Sequence, residues 1–240
     1  MLRTREDMLA ELKASPKVQA VVIGGGINGI STFRELALQG VRVLLVERGD
    51  FCGGCSSAPS RMIHGGLRYL ENGEIGLVRE ALHERDALLR NAPHLVRPLP
   101  TTVPIQHLFS GLLNGALGVL RLRNEPAERG ALAVKIGLTL YDLLSRESRA
   151  MPRHVFRGRA ETEALWPDLP ENVRFSATYH DAWISHPERL GVELVLDGLA
   201  AHDGAMALNH VGVTGRNGTK LSLVDALAGE AIEVETDLRS

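Results

Sequence analysis

The sequence is poor in several residue types, and each shortage excludes a class of protein. Only 2 of the 240 residues are cysteines, which excludes a disulfide-stapled domain. The 27 basic and 29 acidic side chains nearly balance, so no excess of positive charge marks a general nucleic-acid-binding surface. Aromatic residues contribute 4%, but hydrophobic residues together reach 44%, an ordinary fraction for a folded globular chain.

Long apolar runs are also missing. The longest uncharged apolar stretch, residues 108–120, is shorter than the roughly 20 residues that cross a bilayer as a helix. Residues 1–17 mix charges of both signs and contain no apolar segment typical of a secretory signal. We therefore expect a cytoplasmic protein in a reducing compartment.

The first strong pattern that is present is a β-α-β unit. The run VQAVVI at residues 18–23 shows no polar alternation, which predicts a strand buried on both faces, as in a parallel sheet. A turn of glycines leads into a helix at residues 27–39, which Gly40 ends. The run VRVLLVE at residues 41–47 predicts a second buried strand.

Weaker patterns predict the remaining elements. Near the start, Thr4 opens a capping-box sequence that predicts a helix to about residue 14. Further helices are predicted at residues 77–90, 108–120, 131–144 and 187–201, and strands at residues 175–179, 207–213, 220–224 and 231–235, the last three antiparallel. In the helix at residues 77–90 we place Val78, Leu82 and Leu89 on the buried face. Arg85 is placed on the exposed, charged face.

Glycine is abundant, with 25 residues, and its clearest cluster is a nucleotide-binding signature. Gly24, Gly26 and Gly29 form a G-x-G-x-x-G that follows a predicted strand and opens a predicted helix. Gly24 permits the tight turn, Gly26 lets the backbone approach a pyrophosphate, and Gly29 lets helix and strand pack closely. Glu47, which ends the next strand, is suited to accept hydrogen bonds from ribose hydroxyls. The alternative is a glycine-rich turn of some other α/β sheet.

The segment after Glu47 bears on the choice between NAD and FAD, which the glycine motif leaves open. A plain NAD domain would continue into another helix and strand, whereas residues 48–71 are rich in glycine and small polar residues. Such residues let the backbone lie against a flat ligand or a phosphate. The pair Cys52 and Cys55 forms a C-x-x-C, but we favour small residues of a binding loop over a redox pair.

One run within this segment is specific enough to indicate a family. Residues 63–69 read I-H-G-G-L-R-Y, and the wider match covers residues 21–71. This stretch resembles the FAD-dependent glycerol-3-phosphate dehydrogenases. The resemblance continues at residues 77–85, 92–95 and 137–144, and a variant of the family's Y-x-D-x-x-x-D-D-A-R-L follows at residues 179–190. There Ser185 and His186 replace the family's Asp-Asp, a change that the sequence does not explain.

The resemblance implies a fold. This is an α/β architecture, a Rossmann-type, glutathione-reductase-like FAD-binding domain with an inserted, incomplete α+β substrate domain. Residues 1–17 would be an N-terminal helical extension, residues 18–95 and 186–240 the FAD-binding domain, and residues 96–185 the inserted part. Members of the family are much longer, so we expect this chain to be an N-terminal portion truncated at its C-terminus.

The resemblance also implies site residues, with FAD as the cofactor. The expected cofactor-binding residues are Gly24, Gly26, Gly29, Glu47, Ser56, Ser57, Arg61, His64, Gly65 and Gly66. Of these, Ser56 and Ser57 would lie near the diphosphate, and the last four beside the flavin ring. Arg68 and Tyr69 are expected at the substrate, because a guanidinium suits bidentate binding of a phosphate. No metal ligand is predicted, and the catalytic base is expected outside this chain.

The implied reaction moves a hydride from C2 of sn-glycerol 3-phosphate to flavin N5 and yields dihydroxyacetone phosphate. Quinone or oxygen would then accept the electrons. We favour a cytoplasmic location, and a peripheral contact with the inner membrane is the less favoured alternative. The expected truncation predicts weak FAD retention and little turnover. Two alternatives remain: another FAD-dependent oxidase that acts on an amine or hydroxy acid, or a non-catalytic nucleotide-binding fragment.

Overall fold

The computed structural model describes residues 3–71, 73–108, 131–144 and 151–237. Contacts divide the chain into two compact units. Unit 1 comprises Met1–Ser60 and His186–Ser240, and unit 2 comprises Arg61–Ser185. Beyond its first residue, the helix expected at residues 108–120 lies outside the described residues. The four domain ranges given above stay a prediction.

Helices and strands are distributed over both units. The helices among the described residues are α1 (Arg5–Ala14), α2 (Ile27–Leu38), α3 (Leu67–Glu71), α4 (Ile75–Asn91), α5 (Ala131–Leu144), α6 (Arg159–Leu165) and α7 (Pro187–Ala201). The strands are β1 (Lys17–Val18), β2 (Ala20–Ile23), β3 (Val43–Val46), β4 (Met62–Ile63), β5 (Val96–Ile105), β6 (Val155–Arg157), β7 (Phe175–Ile184), β8 (Met206–Leu208), β9 (Val211–Asn217), β10 (Lys220–Asp225) and β11 (Glu230–Thr236).

Unit 1 is built around a parallel sheet with the strand order β2-β3-β8. Every residue of β3 is buried, as expected for a strand whose two faces are both covered. Val43 and Leu45 belong to one hydrophobic cluster, together with Ile30 of α2. Leu44 and Val46 point to the opposite face and belong to a second cluster. The β-α-β unit predicted from the sequence is therefore confirmed, but the prediction that its first strand is buried throughout was wrong, because Ile23 at the end of β2 is exposed.

Helices cover one face of this sheet and a second sheet covers the other. On the first face α2 packs against α7, whose Gly198 backbone lies so close to Phe33 that a Cβ there would be 2.5 Å from the ring. On the second face lies a sheet with the order β1-β11-β10-β9, in which β9, β10 and β11 are antiparallel. Leu12 of α1, Leu223 and Val234 are buried in the cluster between them. Unit 1 therefore has three layers.

Two runs predicted as single strands are each divided between these sheets. The run at residues 18–23 bends at Gln19, so that β1 pairs with β11 and β2 pairs with β3. The carbonyl of Gln19 accepts a hydrogen bond from Thr236 Oγ1 (3.1 Å) at this bend. The run at residues 207–213 bends at His210, whose φ is +56°, and its first part is parallel, not antiparallel. Both predictions of a single strand were wrong, because each run contains a polar residue, Gln19 or His210, at which the backbone turns from one sheet to the other.

Unit 2 is organised by the ten-residue strand β7. Strand β5 pairs along one edge of β7, while β4 and β6 pair with opposite ends of its other edge. The three prolines of β5, Pro98, Pro100 and Pro104, occupy alternate positions, so their missing N–H groups all fall on one edge of the strand. The carbonyls of Leu95 and Ile105 accept hydrogen bonds from residues that flank β7, so the odd-numbered positions face β7. Strand β5 is thus suited to an edge of the sheet.

Helices α4 and α5 supply the core of unit 2. Val78 and Leu82 of α4 pack with Tyr141 of α5, and Leu138 of α5 packs with Ile105 of β5. The helices predicted at residues 77–90 and 131–144 are therefore confirmed. Across the part of the chain that the structure describes, every helix is too short or too polar to cross a membrane.

Candidate functional site

In unit 1 the glycine motif forms the turn between β2 and α2. Gly24 has a φ of +108°, which side chains rarely tolerate, and its N–H donates to the Val46 carbonyl (2.9 Å). A Cβ on Gly29 would lie 2.0 Å from the Gly24 carbonyl oxygen. Gly25, whose role the motif itself does not specify, is similarly constrained, since a Cβ there would lie 2.7 Å from the Phe51 ring. This turn therefore leaves no room for side chains at Gly25 and Gly29.

The N-terminus of α2 meets the hydroxyl of Ser56. Gly26 is the N-cap residue of α2 and has no side chain that could accept a helix N–H. Ser56 Oγ takes this place and accepts a hydrogen bond from the Ile27 N–H at 3.0 Å. Ser57 instead donates its hydroxyl to the Gly54 carbonyl (2.8 Å) within the same loop. The positive end of the α2 dipole and the Ser56 hydroxyl therefore lie together, an arrangement that favours a phosphate.

Glu47 is half-buried beside this turn. One of its carboxylate oxygens accepts the N–H of Gly25 (2.6 Å), and the other accepts the N–H of Gly49 (2.9 Å). Each oxygen retains a second lone pair, so the carboxylate can still accept a ribose hydroxyl. In this structure Glu47 also links the glycine turn at Gly25 to the segment at Gly49.

The two cysteines of the C-x-x-C differ in environment. Cys52 is buried, its N–H donates to the Gly25 carbonyl (2.7 Å), and Cys55 is exposed. A Cβ on Gly191 of α7 would lie 2.3 Å from Cys52 Sγ, so the thiol packs directly on that helix. Burial, with a smaller effect of the negative charge of Glu188, raises the pKa of the Cys52 thiol. A raised pKa disfavours the thiolate that redox chemistry needs, in agreement with a packing role.

In unit 2 the predicted site residues lie on β4, on α3 and beside them. Arg61 precedes β4, is exposed and has a φ of +61°. His64 exposes 64% of its side chain, and Tyr69 is also exposed. Arg68 belongs to α3, but its side chain is outside the described part of the structure. Exposed groups able to contact a ligand thus flank the buried glycines Gly65 and Gly66.

These two glycines are required for different reasons. Gly66 has a φ of +79°, and its carbonyl accepts the Tyr69 N–H (2.9 Å) where α3 begins. A Cβ on Gly65 would lie 1.7 Å from Tyr141 Oη and 2.8 Å from Arg85 Nη1. The first position needs an unusual backbone angle, whereas the second needs empty space beside buried polar side chains.

Those polar side chains form a network in the interior of unit 2. Arg85, which is fully buried, donates to Asp86 Oδ1 through Nε (3.1 Å) and Nη2 (2.9 Å) and to Tyr141 Oη through Nη1 (2.8 Å). Tyr141 donates to Asp181 Oδ1 (3.0 Å), which also accepts the Gly65 N–H (2.9 Å). Burial raises the pKa of the Tyr141 hydroxyl well above its usual range, although the charge of Arg85 opposes this. Tyr141 therefore stays protonated and can donate to Asp181.

The exposed position predicted for Arg85 was wrong. Arg85 follows Val78 by seven residues and Leu82 by three, and it precedes Leu89 by four, so it lies on the same helix face as those buried residues. Its charge suggested solvent, but its position on the apolar stripe of α4 was a signal of burial. Asp181, in contrast, could be identified only as part of a family pattern. Its hydrogen-bond partners, Gly65 and Tyr141, belong to distant segments, so no local pattern predicts its role.

The residues predicted to bind cofactor thus fall into two groups. Gly24, Gly26, Gly29, Glu47, Ser56 and Ser57 belong to unit 1, where all but Ser57 are in contact around one turn. Arg61, His64, Gly65, Gly66, Arg68 and Tyr69 belong to unit 2, within or beside β4 and α3. The roles of these residues stay predictions.

Comparison with known proteins places this arrangement in context. The family model described as FAD dependent oxidoreductase matches residues 19–235. The chain is 37% identical over 223 residues to a glycerol-3-phosphate dehydrogenase of Synechocystis, covering 90% of this chain and 36% of the relative. It is 34% identical over 192 residues to a D-erythritol 1-phosphate dehydrogenase of Brucella abortus, covering 80% of this chain and 34% of the relative. The chain thus spans about a third of the length of these curated relatives.

A solved structure supports the fold. The glycerol-3-phosphate dehydrogenase from Bacillus halodurans, which was crystallised with FAD, superimposes with a TM-score of 0.61 at 18% identity. The superposition covers 97% of this chain and 35% of that one. Together with the family match, it confirms the predicted α/β fold of an FAD-dependent oxidoreductase, and the match also confirms FAD as the predicted cofactor.

Proposed function

The chain belongs to the family of FAD-dependent oxidoreductases, and from this membership we propose that it acts in the oxidation of sn-glycerol 3-phosphate to dihydroxyacetone phosphate. One observation carries the proposal. The run at residues 63–69 presents exposed His64 and Tyr69 on either side of a buried glycine pair, in a chain 37% identical to a protein named glycerol-3-phosphate dehydrogenase. Its electrons would pass to quinone or oxygen.

The residues of unit 1 fit FAD. The turn at Gly24–Gly29 has no space for side chains at two positions, and it ends at the positive pole of α2 next to the Ser56 hydroxyl. We propose that this turn and Ser56 hold the diphosphate, that Ser57 lies nearby and that Glu47 accepts the ribose hydroxyls. Bound FAD supplies an acceptor for a hydride from carbon, a reaction that side chains alone do not provide.

The residues of unit 2 fit the reacting end. The guanidinium of Arg61 would stabilise the negative charge that reduction creates on the flavin, while His64, Gly65 and Gly66 would lie against the ring. The guanidinium of Arg68 would bind the substrate phosphate by two parallel hydrogen bonds, with Tyr69 beside it. A base must take the proton of the substrate hydroxyl, and we assign this step to none of the described residues.

Location follows from the electron acceptor. With oxygen the protein would act in the cytoplasm, whereas with quinone it would need a peripheral contact with the inner membrane. The exposed apolar side chains of α5, among them Ile136 and Leu143, are candidates for that contact.

The test follows the flavin band of the chain saturated with FAD, without oxygen, so that a single reduction is seen without turnover. We expect glycerol 3-phosphate to bleach the band. Bleaching by an unphosphorylated amine or hydroxy acid instead would favour the second class of oxidase. FAD binding without bleaching by any of these compounds would favour a nucleotide-binding fragment. D-erythritol 1-phosphate, the substrate class in the name of the Brucella relative, is the phosphorylated comparison.

Arg68→Ala examines the phosphate contact. We expect it to slow bleaching by phosphorylated substrates about a hundredfold, because a charge-assisted bidentate pair is lost, while FAD binding is retained. Arg79→Ala, which removes an exposed arginine of the same unit, is the matched control. Equal slowing by both variants would contradict a phosphate contact at Arg68.

A further inference from the structure

We propose that Asp181 is a positioning residue, which holds the backbone at Gly65 so that His64 and Gly66 are presented to the ligand in one fixed geometry. The inference rests on the proposed function, because it assumes that the segment His64–Gly66 contacts the flavin. It goes beyond that function by assigning a task to a buried carboxylate that has no direct access to a ligand.

Hydrogen bonds hold the Asp181 carboxylate against the Gly65 backbone. Asp181 is 2% exposed, and its Oδ1 accepts two hydrogen bonds, from the Gly65 N–H at 2.9 Å and from Tyr141 Oη at 3.0 Å. The Gly65 N–H belongs to a segment outside the paired residues of β4, so a side chain replaces the sheet partner there. The position of this amide is therefore determined by Asp181.

Steric contacts also restrict the backbone at Gly65. Tyr141 Oη and Arg85 Nη1 occupy the space where a Cβ of residue 65 would lie, at 1.7 and 2.8 Å. The same tyrosine donates to Asp181, so one group both blocks the Gly65 backbone and orients the carboxylate that anchors it. Movement of Gly65 toward the interior is blocked, and movement away from it breaks the hydrogen bond to Asp181.

The buried charges of this network are not balanced one to one. Asp86 and Asp181 share one buried guanidinium, Arg85, whose Nη2 lies 2.9 Å from Asp86 Oδ1 and whose Nη1 lies 3.8 Å from Asp181 Oδ1. Asp181 Oδ2 lies 3.8 Å from Nδ1 of His64, which is mostly exposed. Stability alone does not account for two buried carboxylates that share one cation, because apolar side chains of similar volume would often stabilise the core more than such a group of charges. The geometry indicates that the buried network around Asp181 serves to orient the segment His64–Gly66.

Two substitutions separate the hydrogen bond from the charge. Asp181→Asn keeps an oxygen that can accept the Gly65 N–H but removes the charge, whereas Asp181→Ala removes both. Asp225→Asn is the matched control, because Asp225 is equally buried and arginine-paired but belongs to unit 1. The Tyr141→Phe variant, which keeps the ring but loses the donor to Asp181, is a second and milder probe.

The first readout needs no cofactor. Amide hydrogen exchange of the full chain should become at least about tenfold faster in residues 61–71 of Asp181→Ala, less so in Asp181→Asn and Tyr141→Phe, and remain unchanged there in Asp225→Asn. Unchanged exchange in all three unit 2 variants would overturn the inference, whether or not the proposed function holds.

The second readout is the absorption spectrum of FAD at saturating concentration. We expect Asp181→Ala to shift the flavin band and weaken FAD binding about tenfold, with partial recovery in Asp181→Asn. A purely structural role would accelerate exchange and leave the spectrum at saturation unchanged, and that result would also overturn the inference. If the unsubstituted chain binds FAD but glycerol 3-phosphate does not bleach it, the proposed function fails separately, because the spectral shift needs no substrate.

Discussion

The two units are built on different principles. In unit 1, β3 is buried on both faces by two hydrophobic clusters. The buried Asp225 of this unit pairs with an arginine, Arg5, that is only half-buried. In unit 2, a fully buried arginine and two buried aspartates lie among the helices and the sheet. Burial of apolar surface is tolerant of detail, whereas a buried charge network is stable only when every member is satisfied. Unit 2 should therefore be the more sensitive to single substitutions that remove a polar group.

The largest effect is expected from Arg85→Met. The substitution keeps most of the side-chain volume but leaves Asp86 and Asp181 without their cation, which should lower the free energy of unfolding by about 4 kcal/mol. Both tryptophans, Trp166 and Trp183, belong to unit 2, so fluorescence during urea unfolding reports on that unit.

Arg79→Met on the exposed face of the same helix is the control, and its effect should stay within about 0.5 kcal/mol. Similar losses in the two variants would mean that the network of unit 2 adds nothing beyond ordinary packing.

A smaller loss is expected from Gly29→Ala in unit 1. The new Cβ would lie 2.0 Å from a backbone carbonyl, which cannot rotate away, so the turn must shift at a cost of about 3 kcal/mol. Because the turn carries the expected diphosphate site, FAD binding should weaken in parallel. Gly54→Ala in the neighbouring loop, where a Cβ meets no atom within 4 Å, should leave both the unfolding transition by circular dichroism and FAD binding unchanged.

Asp225→Asn tests the charged pair of unit 1. Hydrogen bonds from Arg5 are the main cause that lowers the pKa of Asp225, so the ionised form stabilises the fold. This stabilisation is complete above the unfolded-state pKa of about 3.9 and is lost as the pH falls through the lower folded-state pKa. We expect the variant to be less stable by about 2 kcal/mol at neutral pH. Below about pH 4 the difference from the unsubstituted chain should shrink, and a difference that is constant with pH would argue against the pair.

The smallest effect is expected from Thr4→Ala at the start of α1. Thr4 Oγ1 accepts the Asp7 N–H (3.2 Å), and the Thr4 N–H donates to Asp7 (3.0 Å), so the substitution removes half of a capping box. Stability should fall by about 1 kcal/mol in thermal unfolding. Thr32→Ala within α2, where the hydroxyl only donates back to the Asn28 carbonyl, should be neutral or slightly stabilising.

The same contrast explains what could be predicted from the sequence. The β-α-β unit, the glycine turn and helices α4, α5 and α7 follow from local periodicity and caps, which act over a few residues. The bends at Gln19 and His210 do not follow from local patterns. Each depends on pairing in the second sheet, of β1 with β11 and of β9 with β10. The network of Arg85, Tyr141 and Asp181 joins three distant segments, and no local pattern specifies such a meeting.

The site shows the same limit. The motif identified Gly24, Gly26 and Gly29, and the structure gives the contacts that explain two of them. For Gly65 the family pattern gave the position but not the cause, which is the proximity of Tyr141. A sequence can therefore indicate that glycine is required before any physical reason for the requirement is visible.

The pairing of β1 with β11 has a consequence for biosynthesis. Lys17 and Val18 align with Glu235 and Thr236, and β3 pairs with β8 at residues 206–208. On the ribosome, α1, β2 and β3 emerge early, yet neither sheet of unit 1 is complete until these late strands have been translated. During that interval all of unit 2 is made, and Leu44 and Val46 of β3 lack the apolar partners that β8, β10 and β11 supply. The two sheets of unit 1 can therefore close only after unit 2 has been synthesised.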